Sequence, residues 1–184
     1  MSSGNPLTLI AEAASFAARA HRHQLRKDGQ TPYAAHPFRV CLVVRHVFGI
    51  GDPVALAAAL LHDTIEDTTT DYDDLAGRFG AEVADCVAAL SKDMRLPEAV
   101  REAAYLRQVL AGGWRVAVCK LADGYDNLSD FAALPPAGQA KQLGKVSEYL
   151  DALRPSVPPE AHAAFGVVEA AVASLLAARG ATGS

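Results

Sequence analysis

The sequence predicts an all-α protein, and three observations carry that expectation. Apolar residues recur at helical spacing over most of the 184-residue chain, as in Leu7, Ile10, Ala14, Ala17 and His21. Proline and glycine fall between these periodic segments, where helices start and stop. The one segment that also suits a strand, "WRVAVCKLAD", has no second strand to pair with and is therefore read as helix.

The first helix carries the Leu7–His21 face and ends on a histidine. "KDGQTPY" follows as a loop. His36 closes that loop, held extended by the proline after it. Pro37 opens the next helix, through "FRVCLVVRHVF" to Gly49. "GIGDP" is a break in which Asp52 is the expected N-cap and Pro53 stands in the first turn. "VALAAALLHDTIED" is apolar on nearly all sides until its acids begin, which marks a central helix. A polar loop, "TTTDYDD", leads into "LAGRFG", where Gly80 reads as a helix stop. "AEVADCVAALSKD" and "PEAVREAAYLRQVLAGG" are two further helices. Pro135-Pro136 and "RPSVPPE" separate the last two helices, and the tail "ARGATGS" is expected to fray. The amphipathic "QLGKVSEYLDAL" either covers the core or mediates self-association.

The length suits one domain, and 51% of the residues are hydrophobic, enough to build a core without disulfides. Cys41, Cys86 and Cys119 are dispersed among apolar neighbours and show no CxxC spacing, so they read as small core hydrophobes. An odd number of scattered thiols, with no signal-peptide pattern, points to a reducing cytoplasm. No apolar run is expected to span a membrane. A net charge of −4, with no basic block, argues against nucleic acid as a partner. An anionic small molecule would need a local positive patch, for which "HRHQLRKD" is the candidate.

The stretch "AALLHDTIEDTTT" poses the functional question: four apolar residues run straight into His62, Asp63, Glu66 and Asp67. Residues four apart on a helix lie above one another, so His62 aligns with Glu66 and Asp63 with Asp67. Such groups are costly to bury unless paired or metal-bound. A divalent cation bound by His62 and Asp63, with Glu66 and Asp67 facing what it binds, resolves the cost. The alternative is a capping cluster with solvated acids, but Thr68, Thr69 and Thr70 can cap unaided. His36 at its loop–helix junction and Asp123 after the apolar run of "VCKLADGYDNL" look like partners of the same site. Asn127 lies one turn beyond Asp123 on the same face. A mixed imidazole–carboxylate site suits a hard or borderline divalent ion.

In this order the residues His36, His62-Asp63 and Asp123 resemble the H…HD…D signature of the HD-domain metal-dependent phosphohydrolases. The motifs "HRHQLRKDGQTPYAAHP", "AALLHDTIEDT" and "KLADGYDNL" resemble the hydrolase domain of the Rel/Spo alarmone enzymes, most closely the stand-alone small alarmone hydrolases. The resemblance covers roughly residues 8–134 and implies a single HD-domain helical bundle, taken as residues 1–134; residues 135–184, which match nothing in it, are expected to form a C-terminal helical extension packed on the same domain. It implies one Mn²⁺ ion held by His36, His62, Asp63 and Asp123. Glu66 and Asp67 match the pair that orients and activates the attacking water. Arg26 and Lys27 match a basic pair that holds the nucleotide, and Asn127 matches a residue of the nucleotide site. The implied reaction removes pyrophosphate from the ribose 3′ position of guanosine tetra- or pentaphosphate.

The chemistry is sound independently of the resemblance. Metal coordination lowers the pKa of water towards ~7, and a carboxylate within reach can position that water and take its proton, typically worth ~10²–10⁴ in rate. Two acids as close as Glu66 and Asp67 push their pKa values apart, so one can serve as the acid. Arg22, Arg26 and Lys27 also suit the solvated end of the first helix, but the loop from them leads directly to His36. Arginine can stack on a purine and still meet phosphate oxygens. Tyr33 either packs on the nucleotide or anchors the loop.

The chain departs from the resembled pattern at three places. Gly124 stands where a basic residue commonly follows "LAD", Ser129-Asp130 stand where arginine often follows "NL", and His23 replaces a small or polar residue. Lost positive charge leaves two other substrates in view, adenosine analogues of the alarmones and the 2′-phosphate of NADPH. A nucleotide-binding module without catalysis would be expected to lack the "ED" pair or a ligand, and this chain keeps both.

Overall fold

The computed structural model of the chain describes residues 5–131 and 134–182. Helices follow one another almost without interruption: α1 (Pro6–Ala20), α2 (Ala35–Leu42), α3 (Pro53–Leu61), α4 (Thr64–Asp67), α5 (Tyr72–Phe79), α6 (Ala81–Leu90), α7 (Glu98–Ala111), α8 (Gly113–Ser129), α9 (Pro136–Leu153) and α10 (His162–Thr182). The all-α expectation holds. Among the described residues the only β-type pairing is an isolated bridge, Leu25 with Pro32, in the loop after α1. The valine-rich segment is helical, as part of α8.

The centre of the bundle is α3, whose residues from Ala55 to Leu61 are all buried. Its small alanines let neighbours approach closely: α1, α2, α6 and α8 all pack on it. The start of α3 is set by Asp52, whose side chain accepts the Ala55 N–H at 2.8 Å, with Pro53 in the first turn. Arg115 from α8 donates Nε and Nη2 to the same carboxylate at 2.9 and 3.0 Å, tying the two central helices together at this end. Asp71 and Asp74 form a capping box at the start of α5. Gly80, with φ of +88°, ends α5 in a conformation that only glycine adopts freely.

Three expectations need correction. The helix through "FRVCLVVRHVF" is not uniform: after Leu42 it widens into a π-helical turn, Val43–Val47, closed by Phe48 N–H on the Val43 carbonyl at 3.0 Å. His36 is not held extended before Pro37; it sits inside the first turn of α2, which starts at Ala35. The first turn has no use for an N–H at Pro37, so the helix tolerates proline there and tertiary bonding fixes His36 instead. The central helix does not run on through its acids. It stops at Leu61, the chain turns at His62 and Asp63, and one short helix, α4, carries Glu66 and Asp67. The turn keeps the Asp63–Asp67 alignment, since Asp67 N–H still reaches the Asp63 carbonyl at 2.9 Å.

The segment after Pro135 packs back on the bundle. Helix α9 lies against α7 and α8, and α10 lies along α8 through Ala164, Phe165, Val168 and Val172, all buried. The stretch 159–179 is, contrary to expectation, long and apolar enough by length and composition to cross a membrane. Its alanines, valines and leucines together produce that apolarity, and one face of the helix packs on α8. The last two residues of the tail "ARGATGS" lie outside the described residues; α10 continues through Thr182. The three thiols are unpaired, with Cys86 and Cys119 buried and Cys41 partly so.

Candidate metal centre

Three separate pieces of chain bring imidazoles and carboxylates to one point: the first turn of α2, the turn after α3, and the middle of α8. Ligand atoms of His36, His62 and Asp123 lie within 4.8 Å of one another. Asp63 joins them, with Oδ2 3.1 Å from His62 Nε2 and 3.6 Å from His36 Nε2. His36 Nε2 is 3.3 Å from Asp123 Oδ1. Both histidines are buried, and both carboxylates are largely covered.

The hydrogen bonds around the two rings decide which nitrogens face inward. His62 Nδ1 lies 2.9 Å from the Ala59 carbonyl, which can only accept, so Nδ1 carries the proton. Its Nε2 is buried and makes no hydrogen bond, since an unprotonated nitrogen cannot donate to Asp63 Oδ2 at 3.1 Å and the carboxylate has no proton to give. His36 Nδ1 lies 2.7 Å from Asp126 Oδ2, which likewise leaves Nε2 facing the centre. Two inward lone pairs and two carboxylates are a donor set that fits a divalent cation, and the orphaned His62 Nε2 is the polar atom such an ion would satisfy. Without a cation, burial opposes a proton on His36, but its bonds to Asp123 and Asp126 outweigh burial and push its pKa to about 9. A proton there does part of what a metal ion would do, holding like-charged carboxylates together.

Asp126 has no place in the sequence reading and is the main residue it missed. It is 2% exposed and fully satisfied: Arg39 donates Nε to Oδ1 at 2.7 Å and Nη2 to Oδ2 at 2.9 Å, beside the His36 bond. A carboxylate behind a ligating imidazole fixes the tautomer and raises its basicity. The one available signal was spacing, since Asp126 stands one turn beyond Asp123 in the same helix. Asp126→Asn is expected to weaken metal binding by about 10–100-fold, measured by calorimetric titration of the metal-depleted chain, with the helical circular dichroism unchanged.

The acids of α4 face the same space. Burial raises the pKa of both Glu66 and Asp67, and the charge of Asp63 adds to it. Glu66 is steadied by the Lys92 backbone N–H on Oε2 at 2.9 Å. The Tyr33 hydroxyl lies between two carboxylates, 2.7 Å from Asp63 Oδ2 and 3.2 Å from Asp67 Oδ2. Tyr33 therefore links the loop to the acids as well as lining the cavity.

The basic residues sit to one side. Arg26 is held by Asp130 at 2.7 Å and lies 5.8 Å over the Tyr33 ring. Asp130 also reaches Arg39 Nη2 at 3.1 Å, so one chain of ion pairs runs from Arg26 through Asp130, Arg39 and Asp126 to His36. The departure at position 130 is thus a clamp on Arg26. Lys27 is exposed at the cavity mouth, and Asn127 donates Nδ2 to Asp123 Oδ1. All nine residues singled out in the sequence (Arg26, Lys27, His36, His62, Asp63, Glu66, Asp67, Asp123 and Asn127) line one cavity of about 380 Å³, a size in the range of small-molecule sites.

A helical bundle with two buried imidazoles and two carboxylates converging at a ligand-sized cavity has the donor set of a candidate metal site in an HD-class domain. The HD domain family model matches residues 13–150, and the chain belongs to that family. A human relative named guanosine-3′,5′-bis(diphosphate) 3′-pyrophosphohydrolase MESH1 is 40% identical over 149 residues, covering 80% of this chain and 82% of its own. The fruit-fly protein of the same name (Drosophila melanogaster) is 34% identical over 138 residues, 74% and 77% of the two chains. A solved structure described as "a metazoan ortholog of SpoT" that "hydrolyzes ppGpp" superposes with a TM-score of 0.77 at 27% identity, covering 90% of this chain and 96% of that one.

Proposed function

We propose that this chain removes pyrophosphate from the ribose 3′ position of guanosine 3′,5′-bis(diphosphate), ppGpp, and of its pentaphosphate, using one manganese ion. The observation that carries the reading is the convergence of His36, His62, Asp63 and Asp123 at the floor of a cavity that Glu66 and Asp67 also line. The four would hold the ion, a mixed nitrogen and oxygen set suited to manganese. The named activity of the MESH1 relatives supports the substrate. The metal-centre residues and the two acids fall within residues 1–134, the hydrolase unit, and helices α9 and α10 pack on it and complete the cavity wall. Dispersed free thiols support a reducing cytoplasm as its location.

In the reaction, water adds to the phosphorus bonded to O3′, the P–O3′ bond breaks, and the water's proton ends on O3′. A bound divalent ion supplies Lewis acidity, lowering the pKa of water and neutralising phosphoryl charge. Glu66 and Asp67 orient the attacking water and carry its proton; their raised pKa values suit a group that must take a proton and give it up. Asn127, fixed on Asp123, positions the ribose side. Arg26, clamped by Asp130 with its guanidinium carbon 5.8 Å from the Tyr33 ring centre, is set to stack on the base, with Lys27 beside it.

A substrate panel tests this. The manganese-loaded chain is offered ppGpp, the adenosine analogue and NADPH at equal concentration. Pyrophosphate release fastest from ppGpp is the expected result. Turnover confined to an adenine compound would overturn the assignment of the base, and silence on all three would overturn the hydrolase reading.

A further inference from the structure

Of the motif "HRHQLRKD" the proposed reaction uses only Arg26 and Lys27, yet two polar residues before them reach towards the acids. His21 ends α1, with its N–H on the Ala17 carbonyl at 3.0 Å, and only 1% of it is exposed. Gln24 follows one turn later, with its N–H on the His21 carbonyl at 2.9 Å, and is half-buried. Neither residue lines the cavity, so neither is placed to touch a substrate. Gln24 instead joins two parts of the site. Its backbone carbonyl accepts the Tyr33 N–H at 2.9 Å. Its side-chain Nε2 donates to the Asp67 carbonyl at 2.6 Å, across 43 residues of chain. That carbonyl belongs to the last residue of α4, a helix of one turn, and has no N–H to accept within the helix. The other end of the amide, Oε1, lies 2.7 Å from His21 Nδ1.

This chain of bonds fixes each proton in it. The Asp67 carbonyl can only accept, so the amide nitrogen of Gln24 must face it and the amide oxygen must face His21. His21 Nδ1 therefore carries a ring proton. Its Nε2 is buried with no hydrogen-bond partner, which suits a nitrogen that has no proton to place. The His21 ring also packs on Tyr33, with centroids 4.8 Å apart, and the Tyr33 hydroxyl lies 3.2 Å from Asp67 Oδ2. Asp67 is thus held twice from the end of α1, its backbone through Gln24 and its carboxylate through Tyr33. Glu66 takes its support elsewhere, from the Lys92 N–H. Apolar packing could join α1 to α4 as well; a hydrogen-bonded strap adds direction, which stability alone does not need.

We propose that Gln24 and His21 are positioning residues for Asp67: the buried imidazole sets the Gln24 amide, and the amide, bonded to the Asp67 carbonyl, sets the turn that aims the acid at the attacking water. The inference rests on the proposed function, in which Asp67 acts on that water, and adds two residues that serve the reaction without touching the substrate.

Gln24→Met keeps the length of the side chain and removes both of its bonds. The kcat for ppGpp is expected to fall about tenfold or more. KM and manganese affinity should stay within about twofold, since no substrate or metal contact is lost. The loss should depend on Asp67: about tenfold again in the Glu66→Gln background, and none in the Asp67→Asn background. Equal losses in the two backgrounds, or no loss in the otherwise unaltered chain, would overturn the assignment. His21→Asn, whose amide can still donate to Gln24, is expected to keep kcat within about threefold, whereas His21→Leu should match Gln24→Met. The reverse order would make the shape of the ring, not its proton, the important feature and would remove His21 from the strap. One further measurement needs no turnover. Nitrogen NMR of the His21 ring is expected to show a proton on Nδ1 and none on Nε2. A proton on Nε2 alone would overturn the strap, because Gln24 would then have to turn its oxygen towards the Asp67 carbonyl. An unaltered chain that does not turn over ppGpp counts against the hydrolase reading, while the ring proton still decides the strap.

Discussion

Asp63→Ala is expected to lower kcat/KM for ppGpp by about 10³-fold or more, the several kcal/mol that a Lewis-acid centre supplies. Asp63 is the residue whose Oδ2 sits near both inward nitrogens, 3.1 Å from His62 Nε2 and 3.6 Å from His36 Nε2. Its loss leaves two imidazoles and Asp123, a neutral pair with one charge, to hold a divalent ion. Affinity for manganese should therefore fall together with turnover. The fold should survive, because Asp63 lies in a turn and contributes no core packing. Calorimetric titration, steady-state kinetics and a thermal melt on one preparation separate these effects. A variant that keeps both metal affinity and rate would remove Asp63 from the site.

Glu66→Gln and Asp67→Asn should behave differently. Each is expected to cut kcat by about 10²–10⁴-fold while manganese affinity stays within a few-fold of the unaltered chain. Neither residue belongs to the group of inward ligand atoms, and each has its own support: the Lys92 N–H for Glu66, the Tyr33 hydroxyl for Asp67. The amide replacements keep size and most hydrogen bonds but can neither take nor deliver a proton. The variant with the larger loss in kcat identifies the acid that carries the proton. Loss of metal binding in step with kcat would instead make that residue a ligand.

What could be read from sequence follows the range of the interactions involved. The Asp52 cap, the Gly80 stop and the buried α3 depend on neighbours within a turn or two, and each stands where the sequence places it. The gathering of His36, His62, Asp63, Asp123 and the two α4 acids was also legible, because charges set in apolar runs demand partners. Position in detail was not. His36 looked extended because Pro37 biases the residue before it, yet the bond to Asp126, 90 residues away, lies with a helical first turn. Asp126 and Arg39 were invisible for the same reason: their importance is pairwise, 87 residues apart. Asp130 was misjudged in sign, as charge removed from the nucleotide site, where it is the anchor that aims Arg26.

One divalent ion at His36, His62, Asp63 and Asp123 is expected to make this chain a ppGpp hydrolase. The most direct measurement titrates manganese into the metal-depleted chain while pyrophosphate release from ppGpp is followed and bound metal is counted in parallel. Release is expected to start from background, rise with occupancy and saturate at one ion per chain. Full release before any metal is added, or a chain saturated with one ion that releases nothing, would contradict it.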